Sequence, residues 1–155
     1  MAYNILAVNT ANGQMNYQGT VDFNLNYSTS AGTAAGVVAT VTYADSVTFG
    51  QVVYVGSDGN YHLAKADVST TVPAVGMSLG TYGPSESGLI LFNGIANNSG
   101  WTLTSGNRLW VSDATAGLVT ATQPTASGHF IQSVGIATGT NTMYFNPVPT
   151  LIQHV

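Results

Sequence analysis

The chain contains no cysteine, so it can build neither a disulfide framework nor a thiolate zinc site. Charge is almost as scarce. There are 2 basic and 6 acidic side chains among 155 residues, 5% of the total, where roughly 25% is ordinary. A folded monomer of 16.0 kDa exposes roughly 7,400 Å², which leaves about 900 Å² for each charge. Two cations in a chain of net charge −4 cannot supply the basic footprint that neutralises phosphates, and this excludes nucleic-acid binding. No apolar run approaches the ~18 residues of a spanning helix. The opening MAYNILAVNT has no basic segment leading into an apolar core, so neither a secretory signal nor a membrane partner is expected.

Helix-permissive stretches are missing too, because 18 glycines punctuate the chain every few residues. The longest stretch after the start without Gly or Pro, Val37 to Phe49, is β-branched and aromatic, with poor helix and good strand propensity. What is present is a 45% hydrophobic content, enough for a proper core, arranged in short runs between turn signals. Strands are predicted at Thr20–Tyr27, Val37–Tyr43, Gln51–Val55, Tyr61–Lys65, Ala74–Leu79, Leu89–Ile95, Arg108–Val111, Leu118–Ala121, Phe130–Thr138 and Thr142–Phe145. Ser57-Asp58-Gly59-Asn60 reads as a hairpin turn, since Asp-Gly tolerates positive φ. The expected class is all-β, a small barrel or sandwich.

The chain also matches itself. Ser46 to Val55 aligns without a gap on Thr102 to Val111, and Tyr61-His-Leu-Ala on Leu118-Val-Thr-Ala. Ala74 to Thr81 aligns on Ser133 to Thr140, and Leu91-Phe-Asn93 on Tyr144-Phe-Asn146. The reading is two duplicated strand units, 46–93 and 102–146, forming one domain over 46–155. Neither unit could bury its apolar face alone, so they are expected to close one core about a pseudo-two-fold axis. Gly50/Gly106 and Gly76/Gly135 mark recurring places where the backbone needs positive φ or close approach. Residues 1–45 lie outside the repeat as an extended N-terminal β arm. Within it Val21, Phe23, Leu25 and Tyr27 alternate with polar residues and form an apolar face that needs a cover, making them candidate interface residues. Trp101, in the linker between the units, is a fifth candidate.

Motifs that carry chemistry are few. Gly76-Met-Ser-Leu-Gly80 matches G-x-S-x-G and is followed by Asp113 and His129, the chain order of an α/β-hydrolase triad. That chemistry needs Ser78 on a strand-to-helix turn, but Thr81-Tyr-Gly-Pro84 follows, and the repeat places Ala137 where the nucleophile would be. Both glycines recur and the serine does not, so the constraint is on the backbone. His62, His129 and His154 are isolated apart from a loose Asp58/His62/Asp67 cluster, and Asp58-Gly59 lacks the further acids of a calcium loop. Glu86 is the sole glutamate, so no pair of catalytic carboxylates stands out. Asn26-Tyr-Ser28 and Asn97-Asn-Ser99 fit the glycosylation pattern without a secretion signal to use it. Trp110 aligns with Tyr54 and is expected to pack. No catalytic residue, metal or cofactor is expected.

Several strings resemble the head decoration (capsid cement) proteins of tailed bacteriophages. They are Gly50-Gln-Val-Val-Tyr-Val-Gly-Ser-Asp-Gly59 with His62-Leu-Ala-Lys-Ala-Asp67, Pro73-Ala-Val-Gly76, Gly106-Asn-Arg-Leu-Trp-Val-Ser112, Gly117-Leu-Val-Thr, Gln132-Ser-Val-Gly-Ile-Ala137 and Tyr144-Phe-Asn-Pro147. The resemblance spans about two-thirds of the chain, 46–149, and the first 45 residues match no pattern. It implies a non-enzymatic protein, a homotrimer, made in the host cytoplasm and carried on the outer capsid surface of the virion. There it would tie major capsid protein subunits together. Related β-modules occur in phage head and tail fibres, so the alternative is a fibre module that binds host-surface glycans. A surface this poor in charge suits burial against copies and partners better than life as a free monomer.

Overall fold

The computed structural model describes residues 7–9, 14–16 and 32–155. Over these described residues it is all-β, with thirteen strands and one 3-10 turn at Ser69–Thr71. In chain order the strands are β1 (Ala7–Asn9), β2 (Gln14–Asn16), β3 (Thr33–Thr42), β4 (Val52–Val55), β5 (Tyr61–Leu63), β6 (Gly76–Ser78), β7 (Ser87–Asn97), β8 (Arg108–Val111), β9 (Val119–Thr120), β10 (Phe130–Ile131), β11 (Ser133–Ala137), β12 (Thr142–Phe145) and β13 (Ile152–Gln153). β1 and β2 pair antiparallel, as do β10 and β13. The other nine form one antiparallel sheet in the order β5-β4-β6-β7-β12-β11-β8-β9, with β3 also on β7. This sheet is strongly curled into a half-barrel.

β7 is the spine. One edge carries β3 along its length, and the other is shared, with β6 opposite Ile90 and Leu91 and β12 opposite Gly94 to Asn97. The two units therefore meet on a single strand. The Gly/Ala-rich stretch before Val37 reads as a break in the sequence, but β3 already begins at Thr33. The reason is that Gly36 sits opposite Gly94 where the two backbones crowd: a Cβ on Gly36 would lie 2.0 Å from the Asn93 carbonyl oxygen. This glycine marks a close approach within a strand.

The duplication is visible in the hydrogen-bond register. Val53 faces Gly76 and Val52 faces Met77; at the aligned positions Leu109 faces Gly135 and Arg108 faces Ile136. Met77 faces Leu91 as Ile136 faces Tyr144. Gly50 donates to the Ser78 carbonyl at 2.9 Å and Gly106 to the Ala137 carbonyl at 2.8 Å, with φ of 90° and 87°. One block needs correction. Val55 pairs Tyr61 and Val111 pairs Val119, so Tyr61 corresponds to Val119 and not to Leu118.

The pseudo-two-fold is also corrected. The main core takes Val52, Met77 and Leu91 from the first unit, but Leu109, Met143 and Phe145 from the second. By the register above, Leu109 and Met143 correspond to Val53 and Ile90, which point to the opposite face of the sheet. A two-fold would bring equivalent faces together. Here one face of the first unit packs against the other face of the second, a head-to-tail relation. The curl is stitched shut beside β5: Gly117 donates to the Ala64 carbonyl at 2.7 Å, and Ala66 to the Ser112 carbonyl at 2.9 Å.

The head-to-tail packing leaves two faces to cover. On the first unit, Val53 and Ile90 form a second cluster with Tyr43 and Val47, flanked by Ala39 and Val41 of β3 and by Tyr82. Tyr43 is fully buried, stacks on Tyr82 with ring centroids 5.3 Å apart, and donates its hydroxyl to the Leu89 carbonyl at 2.9 Å. Burial pushes its phenol up to about 12. The folded chain thus holds this proton above the ordinary phenol value of 10, and stability intact below pH 10 is lost as pH rises through 12. Absorbance titration should show a tyrosine step displaced above the ordinary phenol value and coincident with unfolding. Tyr43→Phe should abolish that step while costing about 1 kcal/mol at neutral pH through the lost hydrogen bond.

Candidate interaction surfaces

The hydrolase-like motif does not assemble into a triad among the described residues. Ser78 is fully buried on β6 and donates its hydroxyl to the Gly80 carbonyl at 3.0 Å. Asp113 and His129 do meet, Oδ2 to Nδ1 at 2.9 Å, where β10 and the loop after β8 close the seam between the units. That pair braces the two segments and has no nucleophile hydrogen-bonded to it among the described residues.

His62 lies between two carboxylates, 3.1 Å from Asp58 and 3.7 Å from Asp45, with its ring stacked on Tyr54. Asp67, grouped with His62 on sequence spacing, instead pairs with Lys65 at 2.7 Å. The hairpin at 57–60 forms as expected. Asp58 accepts from the Asn60 side chain and backbone, and these bonds, followed by His62, hold its carboxyl down at about 2. Glu86 accepts from the Gly83 amide and closes its own loop. Asn97 of the second glycosylation pattern is buried on β7. Among the described residues, no group of three or more His, Asp and Glu could hold a metal ion.

Of the candidate interface residues, Val21, Phe23, Leu25 and Tyr27 lie outside the described residues. Trp101 is partly buried and packs against the main core, its ring over Gly50. Trp110 is partly buried with the Arg108 guanidinium 5.6 Å from its ring centroid.

Two features went unread in the sequence. The first is Gln132, fully buried between the units. Its amide accepts from the Ala74 N–H at 2.7 Å and donates to the Ala74 carbonyl at 2.8 Å and the Val148 carbonyl at 2.9 Å. One side chain thus does the work of a strand pair. The second is the outer face of the second unit. Arg108, Ile136, Tyr144, Ile95 and Ala35 are direct register partners in turn, so they form one row across five strands on the same face. Ile136 is 46% exposed and Tyr144 39%. The face of an antiparallel sheet turned away from the core is ordinarily polar, and this one is mixed.

On β3, Val37 and Val38 are 62% and 42% exposed, and the strand has no charge and no proline along its ten residues. Natural edge strands are usually blunted by such residues; among the described residues β3 pairs with β7 alone. Comparisons with protein-family models, with curated proteins and with solved structures each return no match to this chain.

Proposed function

We propose that this chain is a non-enzymatic structural protein of a tailed-phage virion. In this reading it attaches to the outer capsid surface as a homo-oligomer, a trimer in the family it resembles, and ties major capsid subunits together. The observation that carries the reading is the exterior. Eight charges on 8782 Å² leave about 1,100 Å² for each, while Val37, Leu89, Leu118, Ile136 and Ile152 are exposed. Such a surface favours association over dispersal. Around the exposed Val37 and Val38, the uncharged β3 offers main-chain hydrogen bonding to a neighbour without any need for ion pairs. Cementing then works by summation, since several modest contacts to linked subunits slow the release of each one.

The test is co-sedimentation of the purified chain with expanded empty heads that lack it, alongside light scattering of the free protein. Saturable binding and a mass near three times 16.0 kDa are expected. Val38→Lys, which charges the centre of β3, should weaken head binding at least tenfold while leaving the melting temperature within about 2 °C, as a surface substitution does. A chain that stays monomeric when concentrated and leaves heads unbound overturns the reading.

A further inference from the structure

We propose that the outer face of the second unit binds a carboxylate-bearing saccharide, in the groove between β8–β11–β12 and the segment that follows β12. The groove measures about 370 Å³, within the range of small-ligand sites. Arg108, Ile136, Tyr144, Asn146, Val148 and Thr150 are among its lining residues.

Three observations converge on it. The first comes from the duplication. Arg108, Ile136 and Tyr144 stand where the first unit has Val52, Met77 and Leu91, and those three are fully buried in the main core. The head-to-tail packing frees this face in the second unit, and two of its three aliphatic positions there carry a guanidinium and a phenol. Solvation alone would be served by any polar residue. Arg and Tyr are side chains that recognise ligands, through a fork of donors and a flat amphipathic ring.

The second is charge. Of the chain's 2 cations, Lys65 is held by Asp67 at 2.7 Å, whereas Arg108 has no carboxylate within ion-pair distance among the described residues. Its guanidinium lies 5.6 Å from the Trp110 ring centroid, and no acid among the described residues lines the groove. A guanidinium with no described acid beside it selects an anion, and a carboxylate fits its two-pronged fork.

The third is the interleaving of neutral polar groups with apolar ones. Asn93 donates to Asn146 Oδ1 at 3.0 Å, fixing that amide, and the Asn146 Nδ2 group has no partner among the described residues. Ser133 and Thr150 add hydroxyls between Ile136 and Val148. A sugar ring presents both textures, hydroxyls at its rim and C–H groups on its faces, and the Tyr144 ring can take the latter. A protein partner would call for a broader apolar centre, and a nucleic acid for more than one free cation.

The experiment titrates the full chain with 3′-sialyllactose and, separately, with lactose, following amide NMR shifts. The acidic trisaccharide is expected to bind at least tenfold more tightly than lactose, with shifts centred on 108, 136, 144 and 146. Arg108→Gln should remove that preference, and Tyr144→Ala should weaken both sugars; neither should change head co-sedimentation, so this proposal and the head-binding reading can fail separately. Equal binding of the two sugars, no shifts at millimolar sugar, or a preference retained in Arg108→Gln overturns the proposal. So does dissociation of the oligomer by Arg108→Gln, which would make the groove a contact between copies.

Discussion

Replacing Gln132 by alanine is expected to destabilise the fold by about 3–5 kcal/mol, the largest effect of any polar substitution among the described residues. The side chain is fully buried, and its amide satisfies both the N–H and the carbonyl of Ala74 as well as the Val148 carbonyl. Truncation would strand those backbone groups where water cannot readily replace the amide, and it would open a cavity between the units. Leucine would fill much of that space yet leave the same groups unpaired, so Gln132→Leu should recover only the cavity share. Glutamate separates the roles. Its carboxylate still accepts from Ala74 but cannot donate to either carbonyl until it is protonated. Burial would raise that carboxyl's pKa, so the folded form would bind the proton more tightly than the unfolded chain. Gln132→Glu should therefore be most stable in acid and lose stability as pH rises through the raised value, opposite to an ordinary surface acid. Urea denaturation from pH 4 to 8 reads all three variants. A loss below about 1 kcal/mol in Gln132→Ala would mean that the amide is not what joins the units.

Gln132 also marks where sequence reading stops. The duplication was legible because strand pairing constrains backbone and residue size at aligned positions, and it survives as Gly50/Gly106 and Gly76/Gly135. Arg108–Val111 and Thr142–Phe145 were placed with the observed boundaries for the same reason. Which face of each unit turns inward was not legible. Alternation shows that two faces exist, while the curl of the whole sheet decides which is covered. Thus Val52 and Arg108 share a register position and opposite fates. Gln132 falls inside the predicted Phe130–Thr138 strand, which the structure breaks at this residue between β10 and β11, and nothing local distinguishes it from a solvated glutamine; its partner Ala74 lies 58 residues away. The one-residue slip at Tyr61 has a similar cause, since β9 has only two residues and no distinctive side chain to anchor its alignment. Gly36 misled because a glycine at a close approach and a glycine at a break look alike until the opposite strand is known.

The aligned pair Gly76 and Gly135 allows a comparison in which one chemical change meets two different obstacles. A Cβ on Gly135 would lie 2.1 Å from the Tyr144 carbonyl oxygen, part of the paired backbone of β12, with φ at 154°. That oxygen cannot move without breaking the β11–β12 ladder. A Cβ on Gly76 would lie 2.2 Å from Ile90 Cδ1 and 2.6 Å from its Cγ1, with the nearest backbone atom, the Leu91 oxygen, at 3.3 Å. Ile90 is buried but can turn to another rotamer within the smaller cluster, at the cost of overpacking it. Gly76→Ala should therefore cost about 1–3 kcal/mol. Gly135→Ala should cost more, about 4 kcal/mol or above, because strand separation replaces side-chain adjustment. Amide exchange would locate the difference. Gly135→Ala should release protection along β11 and β12 and their contact with β7, whereas Gly76→Ala should leave the β12–β7 pairing at Gly94 to Asn97 intact. If the two variants lose equal stability, or Gly76→Ala loses more, the backbone crowding that ties β11 to β12 is not the constraint that keeps glycine at 135.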